Sequence, residues 1–393
     1  MAFAIIRPMM RTEKLLADLI ALPSVNPAFA PAGEVSAPST RHGDWHYGEK
    51  KVADFLASVA ADAGLDVEFQ AVLPGRANFI ARLQPKNKVR QTILLAPHLD
   101  TVGADGKQFI PIRKNGRLHG RGACDTKGSV SAMLSALCEL AASKTRPQET
   151  AIVFAGLIDE ENIQAGSRAL AASGFKADLA IVGEPTRLQV VTAHKGSLWL
   201  RLETHGRAAH GATPHLGKNA IHEMARIVDV LETDYAARLR RRKHKLLGVG
   251  TVNVGKISGG KQANIVPDHC DILVDRRTLP GETEAGVRRE ISALLKRKKL
   301  SAQISSDKSV PCVALETDSK LPLVQQFFRS AGQPGPVGVQ YFCDAAVLAA
   351  AGIPGVVFGP GDIAQAHTAD EWISVSELEQ SKDLLVRFLN SVP

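Results

Sequence analysis

The sequence has no C-x-x-C pair, and its five cysteines, Cys124, Cys138, Cys270, Cys312 and Cys343, are an odd number scattered along the chain. That excludes a disulfide framework and points to reduced, mostly buried thiols. No apolar run approaches the roughly 20 residues that span a bilayer, which excludes a transmembrane helix. The opening MAFAIIRPMMR has only a short apolar patch, broken by Arg7 and Pro8, with no small-residue cleavage site after it. A signal peptide is not expected, so the expectation is a cytoplasmic protein with no membrane partner. Internal repeats and low-complexity tracts are missing as well.

What is there is an ordinary globular balance: 45% hydrophobic and 22% charged residues over 393 positions. That length exceeds what one core usually serves, so two domains are expected. The formal net charge is +8. It gathers in RLRRRKHK at 238–245 and KRKK at 296–299. Both runs follow helical patterns and lack interleaved aromatics. They read as solvated helix ends, and no nucleic-acid partner is expected.

Along the chain, Leu15, Leu16, Leu19 and Ile20 share one face of a helix over 12–22. A long loop rich in Pro, Ala, Gly and Ser follows over 26–47, with His42 and His46 read as simply exposed. A second helix puts Val52, Phe55, Leu56 and Val59 inward and stops at Gly64. Strands are expected at 67–72, 78–83, 92–96, 151–157 and 178–183, with helices over 128–140 and 167–173. The runs ILLA, AIVFAGL and LAIVG suit buried parallel strands covered on both faces.

The pattern changes near His194. Leu198, Leu200 and Leu202 alternate with Trp199, Arg201 and Glu203, which marks a half-exposed strand. A helix, a strand pair and another helix complete a βαββαβ unit. The earlier style returns after Pro311, with helices from Leu321, Asp344 and Val375 and an apolar run at 355–358. The expected fold class is α/β: a mostly parallel sheet with helices on both faces, formed by 1–193 and 309–393. An α+β, ferredoxin-like domain is inserted at 194–308.

Chemistry-bearing residues collect at the carboxyl ends of the apolar strands, the edge where open α/β sheets bind ligands. His98 and Asp100 follow ILLAP, Glu160 and Glu161 follow AIVFAGL, Glu184 follows LAIVG, and His367 comes soon after GVVFGPG. Each has a plain structural reading when taken alone. H-x-D can be a surface pair, D-E-E a solvated helix start, G-E-P-T a turn, and Asp125 a helix cap.

Together, H-x-D, G-R-G-x-x-D-x-K-G, D-E-E, G-E-P-T and a late H-T, in this order, resemble the M20 family of metallopeptidases and deacylases. The resemblance covers nearly the whole chain. It implies an amide hydrolase with two divalent metals, zinc first and cobalt or manganese as substitutes. His98 and Glu184 would bind one metal, Glu161 and His367 the other, and Asp125 would bridge them. Asp100 would orient His98 through its other ring nitrogen. Glu160 would be the general base acting on a metal-bridging water.

The resemblance extends into the insert. GRAAHGATPHLGKNAI matches the family's lid motif and places His210 as an oxyanion stabiliser acting on the partner subunit's site. That implies a homodimer formed through the lid. GGKQANIVP and DRRTLPG match lid segments that hold a substrate carboxylate, through Asn264 and Arg277. Strand alternation should send Arg276 to the opposite face. The implied partner is therefore a small molecule with a free carboxylate.

Two departures stand out: Pro97 where the family has Gly, and Phe342–Cys343–Asp344 where many members have a Thr-Asp or Thr-Glu pair. The lean is towards the deacetylase and desuccinylase group acting on N-acyl amino acids. A metallocarboxypeptidase or dipeptidase is the alternative, and a non-catalytic binding protein of the same fold is the alternative outside this class.

Overall fold

The computed structural model describes residues 11–30, 47–308 and 310–393. The opening apolar patch and most of the expected long loop, with His42 and His46, lie outside the described residues. The chain divides into two compact units. One comprises Met1–Thr192, Thr317–Val337 and Cys343–Pro393; the other comprises Ala193–Glu316 and Gly338–Phe342.

In the first unit, four strands run parallel in the order Thr150–Gly156, Gln91–Pro97, Leu179–Gly183 and Gly355–Val357. Leu94 stands in register with Val153 on one side and Ala180 on the other. The hairpin of Asp66–Leu73 and Arg76–Leu83 adds antiparallel to this centre. The result is a mixed α/β architecture around a mostly parallel central sheet. Every residue of Thr150–Gly156 and of Leu179–Gly183 is buried. With both faces covered, neither face needs polar residues, so the strands read as continuous apolar runs.

The helix Lys127–Ala142 is buried almost all round, because it packs between the sheet and the helices Thr12–Ile20 and Val375–Asn390. Truncating a side chain such as Leu134 there would cost about 2–5 kcal/mol through lost burial and the cavity left behind. The first helix stops at Ile20, short of the apolar pattern's reach, and its end is held from outside. The Lys127 ammonium donates to the carbonyls of Leu19 (2.9 Å) and Leu22 (2.7 Å). A small sheet of Ile112–Lys114, Arg117–His119 and Trp372–Ser374 was not expected. Its strands have three residues each, too few for any period to appear. The Arg117 guanidinium lies 3.6 Å from the centre of the Trp372 ring, which helps hold this sheet together.

The second unit runs strand Gly196–His205, helix Ala220–Val230, strands Thr251–Gly259 and His269–Thr278, helix Glu284–Arg297 and strand Gln303–Ser306. Its antiparallel sheet has the order Thr251–Gly259, His269–Thr278, Gly196–His205, Gln303–Ser306. Burial alternates along His269–Thr278. On the inward face, Arg276 is fully buried, with its Nη2 donating to both carboxylate oxygens of Glu282 at 2.8 Å and its Nε donating to the Tyr235 hydroxyl at 3.2 Å. Arg277 faces the other way and donates to Asp275. The unit extends to Glu316 because Ser197 and Cys312 exchange backbone hydrogen bonds. Arg238 and Arg242 of the first basic run pair with Glu290, so part of that charge is used within the unit. Among the described residues, no helix is long and apolar enough to cross a membrane.

Candidate metal centre

The parallel strands of the first unit end in step, and their carboxyl ends carry the polar residues. His98 follows Gln91–Pro97 and pairs as an isolated bridge with Leu157, just past Thr150–Gly156. That register sets the D-E-E turn beside the His98 segment. Asp159 opens the turn with φ 69°, a left-handed conformation uncommon for a residue with a Cβ. Glu184 follows Leu179–Gly183 directly.

These ends converge. His98, Asp125 and Glu161 offer donor atoms that all lie within 4.8 Å of one another. His98 Nε2 is 3.1 Å from Asp125 Oδ1 and 3.9 Å from Glu184 Oε1. His367 Nε2 is 3.4 Å from Asp125 Oδ2 and 3.2 Å from Glu161 Oε2. Each oxygen of Asp125 thus faces a different imidazole. His367 itself sits at φ 62° on a half-exposed turn.

Asp100 is fully buried behind this group. Its two oxygens accept the N–H groups of Glu160 and Glu161, each at 3.1 Å. His98 Nδ1 is 3.0 Å from the Asp100 carbonyl and 3.4 Å from its carboxylate, so the backbone oxygen is the nearer acceptor for the ring. The single residue therefore orients the imidazole and the glutamate turn together.

The electrostatics record an excess of acid. Burial, then the charges of Glu184, Asp344 and Glu161, push Glu160 well above the usual carboxyl range. Burial and Asp125 raise Glu161, and burial with Asp125 and Asp344 raises Glu184. His367 is raised to about 10 by its hydrogen bonds to Asp125 and Glu161. Burial opposes charge on His98, yet its bonds to Asp100 and Asp125 prevail and hold its proton firmly. Burial likewise opposes charge on Asp125, but the two imidazoles keep it ionised. A pocket with this many carboxylates and two imidazoles suits divalent cations, which would supply the positive charge those protons now provide. The Cys124 thiol donates to the Asp362 carbonyl at 3.3 Å, and burial beside Asp125 holds it protonated, which makes it a poor ligand.

The structure brings together His98, Asp100, Asp125, Glu160, Glu161, Glu184 and His367 in the first unit. His210, Asn264 and Arg277 belong to the second. There, the exposed His210 accepts from Ala212 N–H at 3.1 Å through Nδ1, and the next residue, Gly211, donates its N–H to the Asn264 carbonyl at 2.8 Å.

Several supporting residues escape a reading of the sequence. Asn26 donates to both Asp100 (2.7 Å) and Asp159 (3.0 Å), and Arg76 joins Asp159 to Glu49. Buried Asp344 accepts from Ser167 (2.6 Å) and Gln164 (3.2 Å), and burial lifts its carboxyl to about 6. Glu371 grips the segment before Asp125. The sequence signals were slight: Asp344 stood in the departure Phe342–Cys343–Asp344, Asp159 adjoins the glutamate pair, and Glu371 follows His367 by four residues.

Residues 94–391 match the model of peptidase family M20/M25/M40. The chain belongs to that family. This M20 chain is 32% identical over 352 residues to an acetylornithine deacetylase of Myxococcus xanthus, covering 85% of this chain and 90% of the relative. It shares its fold with aminopeptidase PepT from Bacillus cereus, with a TM-score of 0.77, 23% identity, and 98% and 99% of the two chains covered. A dinuclear metal-binding M20 peptidase of Bacillus subtilis aligns with a TM-score of 0.66 and 13% identity over 97% of each chain. The M20 chain is thus a hydrolase of a family that uses dinuclear metal sites, and His98, Asp125 and Glu161 form a candidate metal site in it.

Proposed function

We propose that this chain is a two-metal amidohydrolase that releases the acyl group from an N-acyl amino acid, in the manner of a deacetylase. One observation carries the reading: the Asp125 carboxylate is shared between His98 and His367, one oxygen to each. A carboxylate so placed suits a bridge between two cations. His98 and Glu184 would hold one, Glu161 and His367 the other. Histidine and carboxylate donors without thiolate suit zinc, with cobalt or manganese as substitutes.

When bound, the metals lower the pKa of a coordinated water and polarise the amide carbonyl. Glu160 takes the proton of the attacking water and returns it to the leaving amine nitrogen. Its raised affinity for a proton suits that carrier role. Asp100 keeps the imidazole of His98 and the Glu160–Glu161 turn in fixed relation. From the second unit, read as a ferredoxin-like lid and dimerisation domain spanning about 194–308, His210 stabilises the oxyanion across a homodimer. Asn264 and Arg277 bind the substrate carboxylate.

The deacylase reading draws on the 32% identity to an acetylornithine deacetylase. The likeness in fold to an aminopeptidase favours a second reading, cleavage of small peptides. The deciding experiment assays zinc- and cobalt-loaded protein against N-acetyl and N-succinyl amino acids and dipeptides. Turnover of N-acyl amino acids well above dipeptides is expected. A dipeptide preference would overturn the deacylase reading, and no turnover of either class would overturn the hydrolytic one.

A further inference from the structure

The element least secured by the sheet is the turn that carries His367. It follows no long strand, and its imidazole is more exposed than the other four proposed ligands, with its backbone at φ 62°. Gln108 Nε2 donates to the Ala369 carbonyl beside it at 2.9 Å, and the larger hold lies four residues on. Buried Glu371 accepts four hydrogen bonds from one short stretch of chain. Its Oε1 takes the N–H of Cys124 (2.8 Å) and of Asp125 (2.9 Å). Its Oε2 takes Arg121 Nη1 (2.8 Å) and the N–H of Gly122 (3.0 Å). Its backbone carbonyl accepts from Gly120 N–H at 3.0 Å. The residue therefore ties 120–125, which ends in Asp125, to 367–371, which begins at His367.

We infer that Glu371 is a positioning residue that sets the spacing between Asp125 and His367 and so builds the second metal position selectively. The inference rests on the two-metal reading above. The first position depends on this clamp only through the bridging Asp125. His98 and Glu184 leave the ends of central strands, and His98 is held by Asp100. Glu161 is likewise held through its N–H by Asp100. The second position depends on Glu371 twice, through Asp125 and through the turn that carries His367. Charge matters here as well as shape. A carboxylate can accept from both pairs of donors, whereas an amide must turn its NH2 towards one pair. Glu371→Gln keeps the volume and sets two donors against two donors.

The test is calorimetric titration of metal-free protein with Zn2+, and with Co2+ followed by its visible absorption. Wild type should take two equivalents. Glu371→Gln should take the first with affinity within about threefold of wild type. Its second should be weakened about 10- to 100-fold, the range seen when residues that orient metal ligands are lost. The cobalt band of the second equivalent should change while that of the first does not. With saturating metal, kcat should fall and KM stay close to wild type. Arg121→Gln removes one of the four donors and should shift the second equivalent in the same sense by less. Wild type binding fewer than two equivalents would overturn the two-metal reading itself. Wild type binding two, with both variants binding two at unchanged affinity, would overturn the role of Glu371 alone. Equal weakening of both equivalents would also overturn it. If Glu371→Gln does not fold, the Arg121→Gln titration decides by the same criteria.

Discussion

Asp100 accepts the backbone N–H of Glu161 at 3.1 Å, so the residue beside the first proposed ligand also holds the loop of the second. Its other oxygen does the same for Glu160. Asp100→Asn would leave one of these N–H groups facing an NH2. Metal affinity should fall about 10- to 100-fold. Equilibrium dialysis with elemental analysis measures this, and unchanged affinity would remove Asp100 from the ligand-orienting network.

Glu160 is crowded by other acids yet is given no metal to bind. Glu160→Gln should bind metal as wild type does. Because proton transfer is lost, kcat should drop about 10²- to 10⁴-fold. A variant that loses metal in proportion to activity would make Glu160 a ligand instead of the base.

His210 is proposed to act across a dimer. Mixing His210→Ala with Glu160→Gln subunits and allowing exchange should restore activity. A random mixture gives about a quarter of the sites both groups, since half the dimers are mixed and each has one complete site. Exchanged mixtures as inactive as the parents would rule out a trans role.

His194 offers a test by pH. It is fully buried, its Nδ1 meets the Lys195 carbonyl at 2.9 Å, and burial lowers its pKa to about 4. The unfolded chain, near the ordinary 6.5, binds this proton more readily than the folded one. Stability from His194 is thus complete above about 6.5 and is lost as pH falls towards 4, on the order of 3 kcal/mol in all. Urea unfolding of wild type and His194→Gln from pH 7 to 4.5 should show a smaller acid loss in the variant. Parallel curves would exclude this contribution.

The parallel core is legible in the sequence because strands covered on both faces admit no polar alternation. ILLA and LAIVG carry that signature outright. Ile112–Lys114 and Arg117–His119 do not, being three residues long and largely exposed. The strand-end acids and histidines are legible for a related reason: a charged or imidazole side chain cannot continue a buried apolar strand, so each marks an edge. Their supports are hidden because they act over long separations. Glu371 binds residues some 250 positions earlier, and Asn26 meets Asp159 133 positions on. Nothing local in either sequence window distinguishes them from surface polar residues.

Lys127 gives the proposed active-site loop a built-in timer. Its ammonium is sealed under the end of the first helix, bonded to Leu19 and Leu22, and burial brings its pKa to about 7. While the helix end is in place, that burial keeps the amine away from reagents in solvent. An amine-reactive probe can reach it only when the helix end lifts away. Its labelling rate clocks how often the chain beside Asp125 breathes, without any reporter being added.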